Sequence, residues 1–358
     1  MQIFPKDAKI PNIPRVKFGI DPTAPSMHLG HMVPLRIVRN LALNHNASIT
    51  IVFGTFTATM GDPSGQDKTR PMLDKTEVAV NAALIFDQVK RFMGDIVWEA
   101  FHNGDIFHNW TAKQLMELCA KFTTTRLLSR DAFQKRLEEH RPVHLHELMV
   151  PLCQAWDSVQ LRSQVEVGGE DQLFNFQLTR ELQSNEGLEP EVCIMAPIIN
   201  GTDGRKMSKS LGNCIFFNDK PEDVFGKCMS IPDNVMDEWI PLLTDLMPME
   251  HKSPMERKKL MALDITNQIW GSDKALLAIK HFENVIQGKG KPQEIQKITA
   301  SSVLEAVMTM RNCSKTQARR LIDDGGVAVN DQRVAVADMP ITVGMIVKIG
   351  KRDFAEIV

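Results

Sequence analysis

The chain has 358 residues, with 42 Lys/Arg against 44 Asp/Glu and a formal net charge of −2. At 43 % hydrophobic and 24 % charged it is neither disordered nor fibrous, and its length suits two or three domains. No apolar run reaches the ~18 residues of a membrane span, which excludes an integral membrane protein, and six scattered cysteines without ligand-like spacing argue against disulfides and structural zinc. The start Met1-Gln2-Ile3-Phe4-Pro5-Lys6 has neither a signal-peptide nor a transit-peptide pattern, so the expectation is a cytoplasmic protein. Residues 16–20 form a short apolar run, ended by Asp21-Pro22-Thr23-Ala24-Pro25. Residues 29–43 carry Leu29, Val33, Ile37 and Leu41 at helical spacing, and 47–55 are β-branched and apolar, a buried strand. Strand, helix, strand within about 40 residues is a βαβ unit, so an α/β class with a parallel sheet is expected. Residues 75–160 read as mostly helical, 192–199 as a strand, and 200–213 as a loop. Helices return over 219–287, with Pro221, Pro232, Pro241 and Pro254 near their expected starts. Gly288-Lys289-Gly290-Lys291-Pro292 is linker chemistry. Beyond it, two short helix patterns around 302–323 and Val/Ile runs at 327–329, 334–336 and 341–349 predict a small α+β module. Residues 252–358 hold 17 Lys/Arg against 12 Asp/Glu, a weak pointer to an anionic partner at this end.

Two segments carry chemistry. His28-Leu29-Gly30-His31 opens a helix after a strand, where free N–H groups attract phosphate. Gly30 admits a ligand close to the backbone, and the flanking histidines can donate to oxygens whose charge grows in a transition state. Lys206-Met207-Ser208-Lys209-Ser210 lies in a glycine-bracketed polar loop, from which Lys206 and Lys209 could neutralise a departing pyrophosphate. Either motif alone is weak, since the first could be a polar helix start and the second a solvated basic loop.

Together, in this order and about 175 residues apart, the pair resembles the signature of class I aminoacyl-tRNA synthetases. The stretch from Lys17 to His31, with Gly61-Asp62-Pro63-Ser64-Gly65, Gln154-Ala155-Trp156-Asp157 and Gly168-Gly169-Glu170-Asp171-Gln172, is similar to the bacterial tyrosyl branch that has Lys at the start of this segment. The tail, Ser314 to Ile322 followed by Gly325-Gly326-Val327-Ala328-Val329-Asn330, resembles an S4 RNA-binding module, which the tryptophanyl enzymes lack. The resemblance implies a Rossmann-like parallel-sheet catalytic domain over 1–217 with a helical insertion at about 75–150. It further implies a helical anticodon-binding domain over 218–288, a linker over 289–299 and an S4-like domain over 300–358. The implied reaction activates L-tyrosine with ATP, magnesium arriving with the nucleotide, and passes the acyl group to tRNA-Tyr; the family works as a homodimer.

The resemblance also assigns roles. Thr23, His28, His31, Lys206 and Lys209 would stabilise the reacting phosphates; Asp21, Gly30, Gly169, Asp171, Met207 and Ser208 would bind ATP. Thr57, Asp62, Asn103, Gln154, Asp157 and Gln172 would bind the amino acid. Asp157 would accept the substrate phenol's hydrogen bond and so reject phenylalanine, a selection for which tyrosine-activating enzymes are the standard example. Without the family, Asp62 reads as a turn residue before Pro63. Lys315, Arg319 and Arg320, at spacings that put the first two on one helix face, would meet an RNA backbone, or are a solvated surface.

One position departs from the pattern. Where the family has a tyrosine four residues before Gln154, this chain has Val150, which offers no hydrogen bond. The chain has no tyrosine anywhere beside 17 Phe and 5 Trp, where on the order of ten would be usual. Synthesis under tyrosine scarcity, engineering, or a pocket that has drifted to another amino acid would each account for this. Two alternative functions therefore stand beside tyrosine activation: a paralogue activating another amino acid, and a non-catalytic protein that binds structured RNA.

Overall fold

The computed structural model describes residues 2–61, 73–247, 249, 251–284, 295–350 and 353–358. They fall into two compact units, Met1–Gly271 and Ser272–Val358. The first is built on a six-stranded sheet: β1 (Gln2–Phe4), β2 (Arg15–Ile20), β3 (Ser48–Phe53), β4 (Glu99–His102), β5 (Val165–Gly169) and β6 (Val192–Ala196). Its order is β1-β6-β5-β2-β3-β4; β1 is antiparallel to β6 and every other pair is parallel. From β2 the chain winds one way to β3 and β4, then crosses back to β5 on the other side of β2. Ligands bind at such a switch point, beyond the carboxyl ends of the strands.

The expected βαβ unit is present as β2, the helix Leu29–His45 and β3. The helix buries Leu29, Met32, Val33, Leu35, Val38 and Leu41 and stops at Asn46, in the left-handed conformation at φ 48°. The strand expected over 192–199 is shorter, ending at Ala196, where Pro197 follows. Three strands had no clear pattern. Gln2–Phe4 is too short to show one, Glu99–His102 interrupts a region that reads as helical, and Val165–Gly169 carries a charged Glu166 and a glycine pair. The insertion contributes helices at Lys75–Met93, Ala112–Cys119, Asp131–Glu138 and Leu145–Leu161.

Helices at Pro221–Met229, Asp233–Leu243 and Pro254–Trp270 complete this unit. Pro221 and Pro254 sit in first turns, where proline's missing N–H is harmless, and Pro232 is an N-cap. Pro241, expected near a start, is instead inside the helix Asp233–Leu243.

The second unit opens with the helix Ser272–Phe282 and continues with β7 (Gln296–Ile298), the helices Val303–Arg311 and Lys315–Asp323, β8 (Val327–Val329), β9 (Gln332–Arg333), β10 (Ile346–Ile349) and β11 (Asp353–Ile357). The sheet order is β7-β11-β10-β8-β9, around a core that includes Val303, Val307, Ala318, Ile322, Val347 and Ala355. Val334–Val336, expected as a strand, follows β9 rather than forming it, although Val334 is buried. Of the run at 341–349 only Ile346–Ile349 is strand. The glycine-lysine linker, residues 288–292, lies outside the described residues. No helix among the described residues is long and apolar enough to cross a membrane.

Candidate active site

A cleft of about 1130 Å³ opens at the switch point. It is lined by Asp21, Thr23, His28, Gly30, His31, Thr57, Asn103, Gln154, Asp157, Gly169, Asp171, Gln172, Lys206, Met207, Ser208 and Lys209. Every residue given a catalytic or binding role in the first 271 positions is therefore in one cleft, except Asp62, which lies outside the described residues. The two phosphate-type motifs are drawn together by backbone pairing: Leu29 N donates to Ile215 O at 3.1 Å, and Phe217 N to Met27 O at 2.9 Å. The loop before them is held from below. Gln88 takes Met27 N at 2.9 Å and donates to Pro25 O at 2.9 Å, and Asn81 donates to Pro22 O at 3.2 Å.

The histidines have defined tautomers. His28 Nδ1 accepts Gly30 N at 3.1 Å, and His31 Nδ1 accepts His28 N at 3.1 Å. An Nδ1 that accepts leaves the proton on Nε2 in the neutral ring. Burial pushes the His31 imidazole down to about 4, helped by Lys209, and pushes His28 further still, helped by His31 and Lys209. Both rings are thus neutral Nε2–H donors near pH 7. Gly30 is required by space: a Cβ there would meet His28 Cε1 at 2.8 Å.

The lysine loop is shaped by Asn213, which is 2 % exposed. Its Oδ1 accepts Ser208 N at 2.9 Å, and its Nδ2 donates to Asp203 Oδ1 at 2.8 Å and Lys206 O at 3.1 Å. Asn200, at the loop's base, donates N and Nδ2 to the Glu238 carboxylate at 2.8 and 2.7 Å. Met207 is buried, while Lys206 and Lys209 are exposed to the cleft.

The far end of the cleft is a buried polar chain. Asp21 Oδ1 accepts Thr57 Oγ1 at 2.7 Å; Asn103 Nδ2 reaches Thr57 Oγ1 at 3.3 Å and Asp157 Oδ2 at 3.1 Å. Asp157 Oδ1 is buried and has no hydrogen-bond partner among the described residues. Burial pushes the Asp157 carboxyl up to about 7, against the pull of Lys17 and Asn103. Gly54 makes the chain possible, since a Cβ there would stand 1.8 Å from Asp21 Oδ1. Beside it, Asn175 Nδ2 donates to both Gln154 Oε1 and Gln172 Oε1 at 2.8 Å, setting two pocket amides at once. Val150 is fully buried and is not among the residues lining the cleft.

Gly54, Asn81, Gln88, Asn175 and Asn213 carry no motif of their own. Asn175 alone had a local signal, standing one helical turn after Gln172. In the second unit, Lys315, Arg319 and Arg320 are exposed on the helix that buries Ala318 and Ile322. Arg319 and Arg320 stand 3.7 and 3.9 Å from Asp338 and Asp324, exposed pairs that contribute little stability.

Comparison with known proteins is specific. The family model described as tRNA synthetases class I (W and Y) matches residues 12–314, and the S4 domain model matches 304–347. A tyrosine–tRNA ligase of Thermotoga maritima is 39 % identical over 364 residues, covering 96 % of this chain and 90 % of the relative. One from Aquifex aeolicus is 38 % identical, with 96 % and 91 % covered. Among solved structures, a C-terminally truncated mitochondrial tyrosyl-tRNA synthetase of Coccidioides posadasii aligns with TM-score 0.62 at 22 % identity, over 75 % of this chain and 83 % of that one. The tyrosyl-tRNA synthetase of Archaeoglobus fulgidus complexed with L-tyrosine gives 0.60 at 20 %, over 74 % and 90 %. These two likenesses concern the fold.

Proposed function

The chain belongs to the class I tRNA synthetases of the W and Y group, and we propose that it is a tyrosine-specific aminoacyl-tRNA ligase of that group. The observation that carries tyrosine rather than tryptophan is the identity of the relatives: the two at 38–39 %, each covering 96 % of this chain, are tyrosine–tRNA ligases. Asp157, a buried carboxylate with one oxygen that accepts no hydrogen bond from the described residues, supplies the acceptor that a phenol O–H needs. The S4 match at the C-terminal end agrees with this choice.

In the first half-reaction the tyrosine carboxylate attacks the α-phosphorus of ATP, which enters with its magnesium ion; the α–β bridging bond breaks and pyrophosphate leaves. In the second, a hydroxyl of the terminal tRNA ribose attacks the tyrosyl carbonyl and AMP leaves. No side chain need act as nucleophile. Asp62, Gln154 and Gln172 would hold the amino acid backbone, Thr57 and Asn103 would shape the pocket, and Asp21, Gly169, Asp171, Met207 and Ser208 would hold the nucleotide. Thr23, the Nε2–H groups of His28 and His31, and the Lys206 and Lys209 ammonium groups would stabilise charge as it moves onto the phosphates.

Residues 218–288 would read the anticodon region, residues 289–299 would link them to the S4 module, and Lys315, Arg319 and Arg320 would meet RNA phosphates. The enzyme would work as a cytoplasmic homodimer. Val97, Met116 and Leu145, exposed in or beside the insertion, support an interface there.

The test is ATP–pyrophosphate exchange with each of the twenty amino acids. Exchange with tyrosine alone is expected. Exchange with another amino acid instead would move the assignment to a paralogue and make Val150 the first suspect. No exchange by folded, ATP-binding protein would overturn the synthetase reading in favour of RNA binding.

A further inference from the structure

In the wall of the same cleft, at Lys17 and Glu166, lies a polar cluster that the transfer chemistry does not use. Lys17, on β2, is 2 % exposed. Its ammonium donates to Glu166 Oε1 at 2.8 Å, Ser158 Oγ at 2.6 Å and Gln154 O at 3.0 Å. An ammonium has three N–H groups, so its capacity is filled. Ser158 Oγ in turn donates to Glu166 Oε2 at 3.2 Å. Two of these acceptors, Gln154 O and Ser158 Oγ, bracket the turn of helix that carries Gln154 and Asp157. Ion pairs buried this deeply are weak devices for stability, because an apolar replacement commonly does as well. Its position suggests a different use.

We propose that Lys17 is a specificity-determining residue: from the wall of the cleft its ammonium fixes the Gln154–Ser158 turn and favours the ionised form of Asp157, so that a side chain offering a hydroxyl donor is bound well and a phenyl ring is not. The inference rests on tyrosine as substrate. Asp157 is faced by Asn103, Asp21, Glu166 and Lys17; burial raises its carboxyl, Lys17 is the largest influence in the other direction, and the two acids push it up. Lys17 keeps its charge because, although burial opposes it, Glu166, Glu191 and Asp157 together prevail. An ionised Asp157 left facing a phenyl ring would keep Asn103 on Oδ2 but leave Oδ1 buried and unpaired, a heavy penalty. A protonated Asp157 facing the same ring carries a much smaller one. The Lys17 cation thereby sets how strongly phenylalanine is refused.

Removing Lys17 alone would strand its ion-pair partner Glu166 beside Glu191 and Asp157, so the informative variant is Lys17→Met/Glu166→Gln, which removes the pair together. Exchange kinetics with tyrosine and phenylalanine are measured from pH 6 to 9. The ratio of kcat/KM for tyrosine over phenylalanine is expected to fall about tenfold or more, mainly through a higher KM for tyrosine. The pH at which tyrosine use sets in should move upward. Glu166→Gln alone keeps the cation and removes an opposing acid, so that pH should move downward. A folded double variant with unchanged discrimination and an unmoved pH profile would overturn the inference and leave an ordinary structural ion pair. If the double variant does not fold, an upward or unmoved profile in Glu166→Gln overturns it equally. Absence of tyrosine exchange in the unaltered protein would instead defeat the substrate reading itself.

Discussion

Asn103 donates its side-chain amide to Asp157 Oδ2 across 3.1 Å, tying the segment after β4 to the helix that lines the pocket. The same side chain accepts Phe56 N on Oδ1 at 2.8 Å, so its orientation is fixed and the amine must face the carboxylate. Asp157 Oδ1 is left without a hydrogen-bond partner among the described residues. Asn103→Ala removes a hydrogen bond to a charged group, and the freed carboxylate can rotate. The KM for tyrosine should rise about ten- to a hundredfold with the KM for ATP little changed. Steady-state exchange with each substrate varied in turn checks this, and equal rises in both constants would mean general distortion.

Asp157 also makes a pH prediction. Its carboxyl sits near 7, pushed there by burial, and the ionised form is the one that accepts a phenol proton. Tyrosine kcat/KM should therefore climb with pH through about 7. Stability runs the other way. The unfolded carboxyl has lost its proton by about pH 4, while the folded one keeps it until about 7, so the folded state binds more protons in between and loses stability as pH rises through that window. Asp157→Asn should abolish tyrosine use yet raise the unfolding free energy of the ligand-free protein above pH 7, by at most about 4 kcal/mol. Urea melts at pH 5 and 8 measure it; an equal effect at both values would contradict the assignment.

The two signature segments were legible because each is a local run whose chemistry does not depend on distant partners. The βαβ unit was legible for a similar reason: its periodicity is written into consecutive residues. Strand β5 was not, because Glu166 breaks the apolar run, and it is tolerated at this depth through Lys17, 149 positions earlier, and Ser158. Asn175 and Asn213 look like ordinary polar residues until the fold brings Gln154 or Lys206 to them. Pro241 misled because proline is read as a helix start, although the helix Asp233–Leu243 accommodates it in its last turn.

Arg136 and Glu147 form a two-pronged pair, Nη1 to Oε1 at 2.8 Å and Nη2 to Oε2 at 2.9 Å, with both side chains almost wholly buried. Glu147 also caps its own helix by accepting His144 N at 2.9 Å. Burial alone would raise this carboxyl; the Arg136 and His144 bonds hold it below the usual range instead. Glu147→Ala leaves a buried guanidinium unpaired and should cost about 3–5 kcal/mol in a urea melt at pH 7. Because the folded carboxyl is depressed, the difference from the unaltered protein should shrink as pH falls below about 4.5. A difference that persists unchanged at pH 4 would place the effect in packing.

Asn213 holds the lysine loop through bonds to Ser208 N, Asp203 Oδ1 and Lys206 O, and Gly201 makes room for it, since a Cβ there would meet Asn213 Cγ at 2.4 Å. Both lysines hang from this clamp, yet Asn213 does not itself line the cleft. Lys206→Ala and Lys209→Ala should each lower the rate of adenylate formation about 10²–10³-fold with little change in the KM for tyrosine, as expected for donors that matter most in the transition state. Asn213→Ala should lower the same rate, by about tenfold or more, because a disordered loop presents its ammonium groups in productive positions only part of the time. If the clamp acts through the lysines, its loss should matter little once they are gone. Asn213→Ala added to Lys206→Ala/Lys209→Ala should then change the rate by less than about threefold, a strongly non-additive cycle. Full additivity would mean that Asn213 supports the reaction by some route other than the position of Lys206 and Lys209.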